Sequence, residues 1–368
     1  MDFSLSQDEL EIQDLARDFV RRSCPRDVRR ADDETARSPA AIAQELGRLG
    51  MWGIAVPGDL GGLGLGPLAA CLVAEETAAA YPALGSFYAR TAIAAPLMLG
   101  TLAAEATRDR LLSGIAAGEV SIALAPAPLL RLAEDGGLAR VTGETGPLPF
   151  CHDAQWCVAQ AEGMGAAGVL LPLPSLEIEE LPAPRFGYRG AGYARLRCDG
   201  LPLPPGNVLR HARGEAAGRR RIEGSLALAE AAVAVGIARG ATAYARAYAE
   251  ERTQFGQPIV RFEAVGQRLL DREAEIASAR LLVQRAAWEA QTEPGQDSWQ
   301  HWAFMARDAA AAATRGASLQ AVQTLGGMGY MLEMDAQLYL RDAFSQAGTD
   351  ETESLRRSLR DPVARDRA

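Results

Sequence analysis

Apolar residues recur at helical spacing through the first third of the chain. Between 7 and 24, Leu10, Ile12, Leu15, Ala16, Phe19 and Val20 fall on one face with charges opposite, which predicts an amphipathic helix. Ala40–Leu49 continues the pattern. Leu68–Ala80 predicts an alanine-rich helix with Pro67 at its start, where the missing N–H is no loss. Between them Val56–Gly64 is punctuated by proline and glycine and reads as a structural turn. From about 119 the period changes. Short apolar runs at Val120–Leu124, Trp156–Ala159, Gly168–Leu171 and Tyr193–Cys198 are separated by prolines and glycines, the pattern of an antiparallel β-domain. Helical periodicity returns over Glu223–Thr253, Phe262–Gln291 and Ser298–Leu325, and a shorter helix follows; together they predict a four-helix bundle. The expected architecture is a multidomain α+β protein: a helical domain over 1–118, a β-domain over 119–212 and a C-terminal helical bundle over 213–368.

Composition narrows the function classes. The 368 residues are 48% hydrophobic and 23% charged, a globular balance that excludes a disordered chain. With 47 acidic residues against 38 basic ones the net charge is −9, which argues against a nucleic-acid-binding surface. Apart from histidine every basic residue is arginine, so a phosphate-bearing ligand must be met by a local arginine cluster. The five cysteines (24, 71, 151, 157 and 198) show neither zinc-ligand spacing nor a disulfide framework. Met1–Glu9 is acidic where a secretory signal is basic. The most apolar stretch, Leu226–Tyr248, is interrupted by Glu230, Arg239 and Arg246, which predicts a packed helix and no membrane span. A cytoplasmic setting is expected.

Two motifs in the last third carry chemistry. Arg252-Thr253-Gln254-Phe255-Gly256-Gln257-Pro258-Ile259 follows the first long helix. It offers a charged fork, an aromatic surface and close backbone approach, the parts that a dinucleotide's pyrophosphate and adenine require. Gln323-Thr324-Leu325-Gly326-Gly327-Met328-Gly329-Tyr330 supplies a second segment able to pass close to a ligand. Each alone has a plain reading: Arg252 as a cation at a helix C-terminus, the glycines as a helix-ending turn. Together, in this order, with the Pro57–Gly64 turn and with Phe262–Gln267 opening the next helix, they resemble the acyl-CoA dehydrogenase family over nearly the whole chain. The resemblance implies FAD at a subunit interface, with Arg252, Phe255, Gln323, Gly326 and Gly327 reaching toward a neighbour's cofactor, and therefore a homo- or hetero-oligomer (dimer or tetramer). It also implies α,β-dehydrogenation of an acyl-CoA or carrier-bound acyl thioester, a carboxylate base, and an electron-transferring flavoprotein or similar acceptor.

The chain departs from that family at the reacting centre. Where most members carry a Glu-Gly-Thr base, Ala347-Gly348-Thr349 stands here, and alanine cannot take a proton. Thr349 remains as a cofactor contact. Glu351, with Asp350 and Glu353 beside it, is the first candidate base, against the plain reading that these acids cap the next helix. Glu230 and Glu223 are the alternatives, about one turn either side of Leu226, where some members carry the base. The family's hydroxyl-bearing Thr-Glu-Pro-Gly-x-Gly-Ser stretch is replaced by Ala123–Pro128. Phe150-Cys151-His152 stands at the next flavin-facing motif; Phe150 is expected on the isoalloxazine ring, and His152 replaces a hydroxyl donor near N5. Cys151-His152-Asp153 is not a nucleophile relay, because adjacent residues point in different directions. Arg219–Arg221 reads as a solvated loop rather than a CoA-phosphate contact. Four readings remain: an active dehydrogenase with a relocated base, one subunit of a heteromeric dehydrogenase, a repurposed flavoprotein such as an oxygenase or tailoring enzyme, and a non-catalytic relative.

Overall fold

The computed structural model describes residues 4–181, 186–293 and 295–347. The N-terminal part is helical. Helix α1 (Gln7–Ser23) opens on a capping box: Ser6 Oγ accepts from the Glu9 backbone N–H, and the Glu9 carboxylate accepts from the Ser6 N–H. It buries Ile12, Ala16, Phe19 and Val20, whereas Leu10 and Leu15 lie exposed at the margin of that face. Helices α2 (Arg26–Thr35) and α3 (Ala40–Arg48) lead to the Val56–Gly64 turn. There a Cβ on Gly62 would lie 2.0 Å from the Val56 carbonyl oxygen, so only glycine fits. Helices α4 (Gly66–Ala80), α5 (Pro82–Ala89) and α6 (Ala95–Leu102) are apolar on nearly every side because they are buried on nearly every side. A π-turn at Arg90–Ala94 joins α5 to α6, and α7 (Glu105–Ala116) closes the part.

The middle part is a sheet of β1 (Ile122–Asp135), β2 (Leu138–Glu144), β3 (Trp156–Glu162), β4 (Gly168–Pro172), β5 (Ile178–Glu180), β6 (Ala194–Leu203) and β7 (Val208–Leu209), in the order β5-β6-β2-β1-β3-β4-β7. The expected all-antiparallel domain needs one correction. The β1–β3 pair is parallel, with Ile122 opposite Trp156 and Ala125 opposite Ala159, while the other pairs are antiparallel. β2 folds back on one edge of β1, and the chain then crosses to pair β3 with the other edge in the same direction. The parallel register breaks between Ala125 and Leu130, around two prolines that have no N–H for the ladder.

The last part is a bundle of α8 (Glu215–Glu251), α9 (Glu263–Thr292), α10 (Ser298–Leu325) and α11 (Ala336–Ala347). A two-stranded hairpin, β8 (Thr253–Gln254) and β9 (Gln257–Pro258), links α8 to α9. α8 and α10 run parallel: Gln300 abuts Gly224, and Thr314 Oγ1 donates to the Ala234 carbonyl at 2.6 Å. α9 runs the other way, with Arg246 Nε donating to Glu273 at 3.0 Å. α8 begins two turns before the expected start, which overturns the solvated-loop reading of Arg219–Arg221. Those residues are helical, and Arg221 is buried, its guanidinium 5.0 Å from the Trp299 ring and donating to the Leu97 carbonyl at 3.2 Å. α8 is long and apolar enough to cross a bilayer, but 89% of its most apolar window is buried by its neighbours.

Charge locks the helical layers together. Glu75 and Glu76 of α4 are buried against α8, which approaches closely because a Cβ on Gly236 would meet the Glu75 carbonyl at 2.5 Å. Glu76 Oε1 accepts from Arg239 Nη1 (2.8 Å), Arg17 Nη2 (3.0 Å) and Gln13 Nε2 (2.9 Å), while Glu75 meets Arg239 at 3.0 Å and Arg280 Nε at 3.0 Å. Burial pulls the Glu76 carboxyl upward, but the hydrogen bonds and charges of Arg239 and Arg17 outweigh it and leave it below the usual range.

Candidate active site

The two ligand motifs leave the bundle at one end, because α8 and α10 are parallel. Arg252 caps α8 and is exposed, and its guanidinium makes no ion pair among the described residues. Phe255, at the tip of the β8–β9 hairpin, has φ +51° and is 93% exposed; its ring meets Phe262 edge-on with centroids 6.2 Å apart. Gln323, Gly326 and Gly327 are exposed at the end of α10, followed by Met328, Tyr330 and Leu332, all largely uncovered. Large apolar side chains left open at the same end of the bundle as an exposed guanidinium mark a surface built to be covered. The glycines admit close backbone approach, and the fork and aromatic face suit a dinucleotide, so these residues fit FAD.

A second site lies lower on α8, where three parts of the chain meet. Ser86 and Arg90, Phe150, Tyr188, Glu230, Ser345 and Gln346 surround a chamber of about 10 Å³. Local backbone irregularity converges here. Arg90 opens the π-turn, and Phe150 (φ +64°) and Tyr188 (φ +50°) are buried aromatics in the left-handed region, a conformation that costs about 1–3 kcal/mol and persists only when surrounding packing enforces it. Phe150 packs edge-on to Phe87 with centroids 5.2 Å apart. Glu230 is buried between two arginines: Oε2 lies 3.3 Å from Arg307 Nη1, and Oε1 lies 4.0 Å from Arg90 Nη2. The Tyr188 hydroxyl donates to Gln346 Oε1 at 2.6 Å. Burial pushes the Asp342 carboxyl up, against the pull of Arg29 at 3.2 Å and of the Tyr188 backbone N–H at 2.8 Å.

The structure separates the other candidates. Glu223 does not line the chamber; it accepts from Gln160 Nε2 of β3 at 3.1 Å, and burial raises its carboxyl above the usual range. Leu226 between them is buried. His152 turns outward, its Nε2 3.7 Å from Glu180 Oε1, while Phe150 turns inward. Cys151 is buried and its thiol is pushed up to about 12 by burial; Asp153 accepts from Ser38 Oγ at 2.6 Å. The three adjacent side chains thus point three ways. Ala123, Leu124 and Ala125 of β1 are all buried. Thr349, Asp350, Glu351 and Glu353 lie outside the described residues. Among the described residues no cluster of histidine, cysteine or acid side chains could hold a metal, and all five cysteines are buried and unpaired. Sequence reasoning missed Arg90, Arg307 and Tyr188. The available signal was a lone arginine in the apolar 82–102 stretch and an adjacent Arg307-Asp308 in the alanine-rich 302–314 stretch.

Comparison with known proteins fixes the class. Residues 6–119 match the family model described as acyl-CoA dehydrogenase, N-terminal domain, and residues 218–355 match acyl-CoA dehydrogenase, C-terminal domain. The chain belongs to the acyl-CoA dehydrogenase family, flavin oxidoreductases whose cofactor is FAD. It is 29% identical over 363 residues to a probable acyl-CoA dehydrogenase of Bacillus subtilis, covering 93% of this chain and 94% of that one. Its fold is shared with butyryl-CoA dehydrogenase from Megasphaera elsdenii (TM-score 0.88, 22% identity, 99% and 100% of the two chains). It is shared equally with a chain of the ChsE4–ChsE5 complex from Mycobacterium tuberculosis (TM-score 0.85, 21% identity, 99% of each).

Proposed function

We propose that this protein oxidises an acyl thioester, CoA- or carrier-bound, between Cα and Cβ, with FAD seated across a subunit interface and an electron-transferring flavoprotein or similar acceptor taking the electrons. The observation that carries this reading is the chamber where helix α8, the 149–150 loop, the π-turn and the end of α11 meet. Flavin, when bound, supplies the acceptor for the β-hydride. The protein's part is to take the α-proton and to hold the thioester where that proton is acidic enough to leave. Of the three carboxylates, Glu223 is engaged by Gln160 and Glu230 by two arginines. We therefore assign the proton to Glu351, which follows Gln346 at the chamber by five positions in the chain. Arg252, Phe255, Gln323, Gly326 and Gly327 serve the neighbouring copy's dinucleotide, Phe150 borders the chamber, and Thr349 is a further cofactor contact.

The test is anaerobic mixing of the purified yellow oligomer with a panel of acyl thioesters. Bleaching of the flavin band supports the reading; an oligomer that binds FAD yet bleaches with none of them refutes it. Glu351→Gln should lower the bleaching rate about 10²- to 10⁴-fold, the usual contribution of a general base. A similar loss in Glu230→Gln with Glu351→Gln unimpaired reassigns the base.

One observation favours a second reading, a subunit that works only beside a homologous partner. In the β1 stretch that the family resemblance sets against flavin-facing hydroxyls, the described side chains, Ala123, Leu124 and Ala125, are apolar and buried. The likeness to a chain of the ChsE4–ChsE5 hetero-complex accords with it. Colourless protein alone that turns yellow on co-expression with a neighbouring homologue supports this version.

A further inference from the structure

The geometry points to the 186–191 segment, and to Tyr188 within it, as the strap that holds the base in register with the 149–150 loop for proton transfer. This rests on the acyl-thioester reading above and adds a positioning residue to it. Four hydrogen bonds tie three consecutive residues to the last turns of α11. Arg341 Nη1 donates to the Phe186 carbonyl at 2.9 Å, the Gly187 N–H to Ser345 Oγ at 2.8 Å, and the Tyr188 N–H to Asp342 Oδ1 at 2.8 Å. The Tyr188 hydroxyl donates to Gln346 Oε1 at 2.6 Å, and burial keeps that hydroxyl protonated, raising it well above its ordinary value. The backbones approach as closely: a Cβ on Gly187 would lie 2.2 Å from the Arg341 carbonyl oxygen. The other end of the strap holds the loop that carries Phe150. The Ala191 N–H donates to the Tyr188 carbonyl at 2.9 Å, and the Ala191 carbonyl accepts from the Phe150 N–H at 2.5 Å.

Plain packing between the sheet and α11 does not require this arrangement. Tyr188 is buried with φ +50°, where a glycine would be unstrained but would supply no hydroxyl. Strain of that kind persists only where the surroundings enforce it, and here the enforcing contacts are those to α11. Through Tyr188 and Ala191 the chain joins Gln346 to Phe150, so the end of α11 and the 149–150 loop move as one body. Both residues line the chamber. Glu351, assigned the proton, follows Gln346 by five positions in the chain, and Phe150 stands where the flavin ring is proposed to lie. Taking a proton from Cα while hydride leaves Cβ requires base and acceptor at fixed places about the substrate; a displacement of about 1 Å can cost about 100-fold in rate.

The experiment takes two measurements on the FAD-loaded oligomer and its Tyr188→Phe variant: anaerobic flavin bleaching over a range of acyl-thioester concentrations, and amide hydrogen exchange over 341–347. Tyr188→Phe keeps the ring and removes only the hydroxyl. Its saturating bleaching rate should fall about 10- to 100-fold, with the half-saturating thioester concentration and the FAD content unchanged. Exchange at the end of α11 should quicken about tenfold, the factor that one hydrogen bond implies, while α8 stays unaffected. A merely structural hydroxyl would lower the melting temperature without splitting rate from affinity. Gln346→Met should behave alike, and the double variant should lose no more than either single one, since both break the same bond. Losses that multiply, an unchanged rate in the folded and FAD-loaded variant, or unchanged exchange each overturn the proposal. If Tyr188→Phe does not fold, Ser345→Ala, which releases only the Gly187 N–H, is read by the same two measurements. If no thioester bleaches the unmodified protein, the oxidation reading fails, and exchange alone decides whether the strap stands.

Discussion

Subunit complementation tests the proposed arrangement directly. Arg252 and Glu230 sit on the same helix, and from 230 to 252 at the usual helical rise is about 33 Å. On the proposed arrangement, with the flavin ring by a chain's own chamber, that chain's guanidinium is too far along the helix for the same flavin's pyrophosphate and serves a neighbour's. Arg252 is exposed and makes no ion pair among the described residues, so Arg252→Gln should change stability by no more than about 0.5 kcal/mol. It should weaken FAD binding about 10- to 100-fold, since a hydrogen bond to a charged group contributes about 1.5–3 kcal/mol. Glu351→Gln removes the assigned base but keeps every cofactor contact. Each variant alone should be nearly inactive at limiting FAD. When the two are unfolded, mixed in equal amounts and refolded, random pairing makes half the dimers mixed, and each mixed dimer has one site with both an intact Glu351 and an intact Arg252 from its partner. Activity should therefore recover to about a quarter of the unmodified value. Mixed dimers, verified by mass, that remain inactive would refute the cross-subunit role of Arg252.

Two further outcomes follow from the packing. Glu76→Gln should destabilise the protein by about 2–4 kcal/mol at neutral pH, near the low end for a broken buried pair because Arg239 keeps Glu75 and Arg17 is half exposed. Because the folded carboxyl lies below its usual value, that difference should be full above about pH 4.3 and should shrink as pH falls through the depressed folded value, where the unmodified side chain is protonated too; denaturant melts at several pH values read it, and a pH-independent difference would contradict the assignment. All five thiols should resist a thiol reagent in the native protein and react together on denaturation, since burial pushes Cys24 and Cys151 up to about 12 and raises the other three as well; rapid native labelling of any one would show that its shell opens.

What the sequence by itself determined was local. Apolar period set the helices of the first and last parts, because each amphipathic or all-apolar stretch reports its own burial. The Arg252–Ile259 and Gln323–Tyr330 motifs were legible because a fork, an aromatic and glycines lie within a few residues of one another and do their work at a helix end. What depended on distant partners was not legible. The parallel β1–β3 pair follows from which edge of β1 the chain returns to after β2, and apolar runs carry no record of that. Arg221 looked like part of a solvated run until Trp299 and the Leu97 carbonyl, far away in the chain, closed over it. The chamber is the clearest case. Residues 86, 90, 150, 188, 230 and 345–346 have no common spacing, and two buried guanidiniums, Arg90 and Arg307, facing the single carboxylate of Glu230 exist only because the π-turn, α8 and α10 pack together. Charge balance inside a core is a property of the assembled fold, so no inspection of the chain in order could have revealed that Arg90 and Arg307 share Glu230.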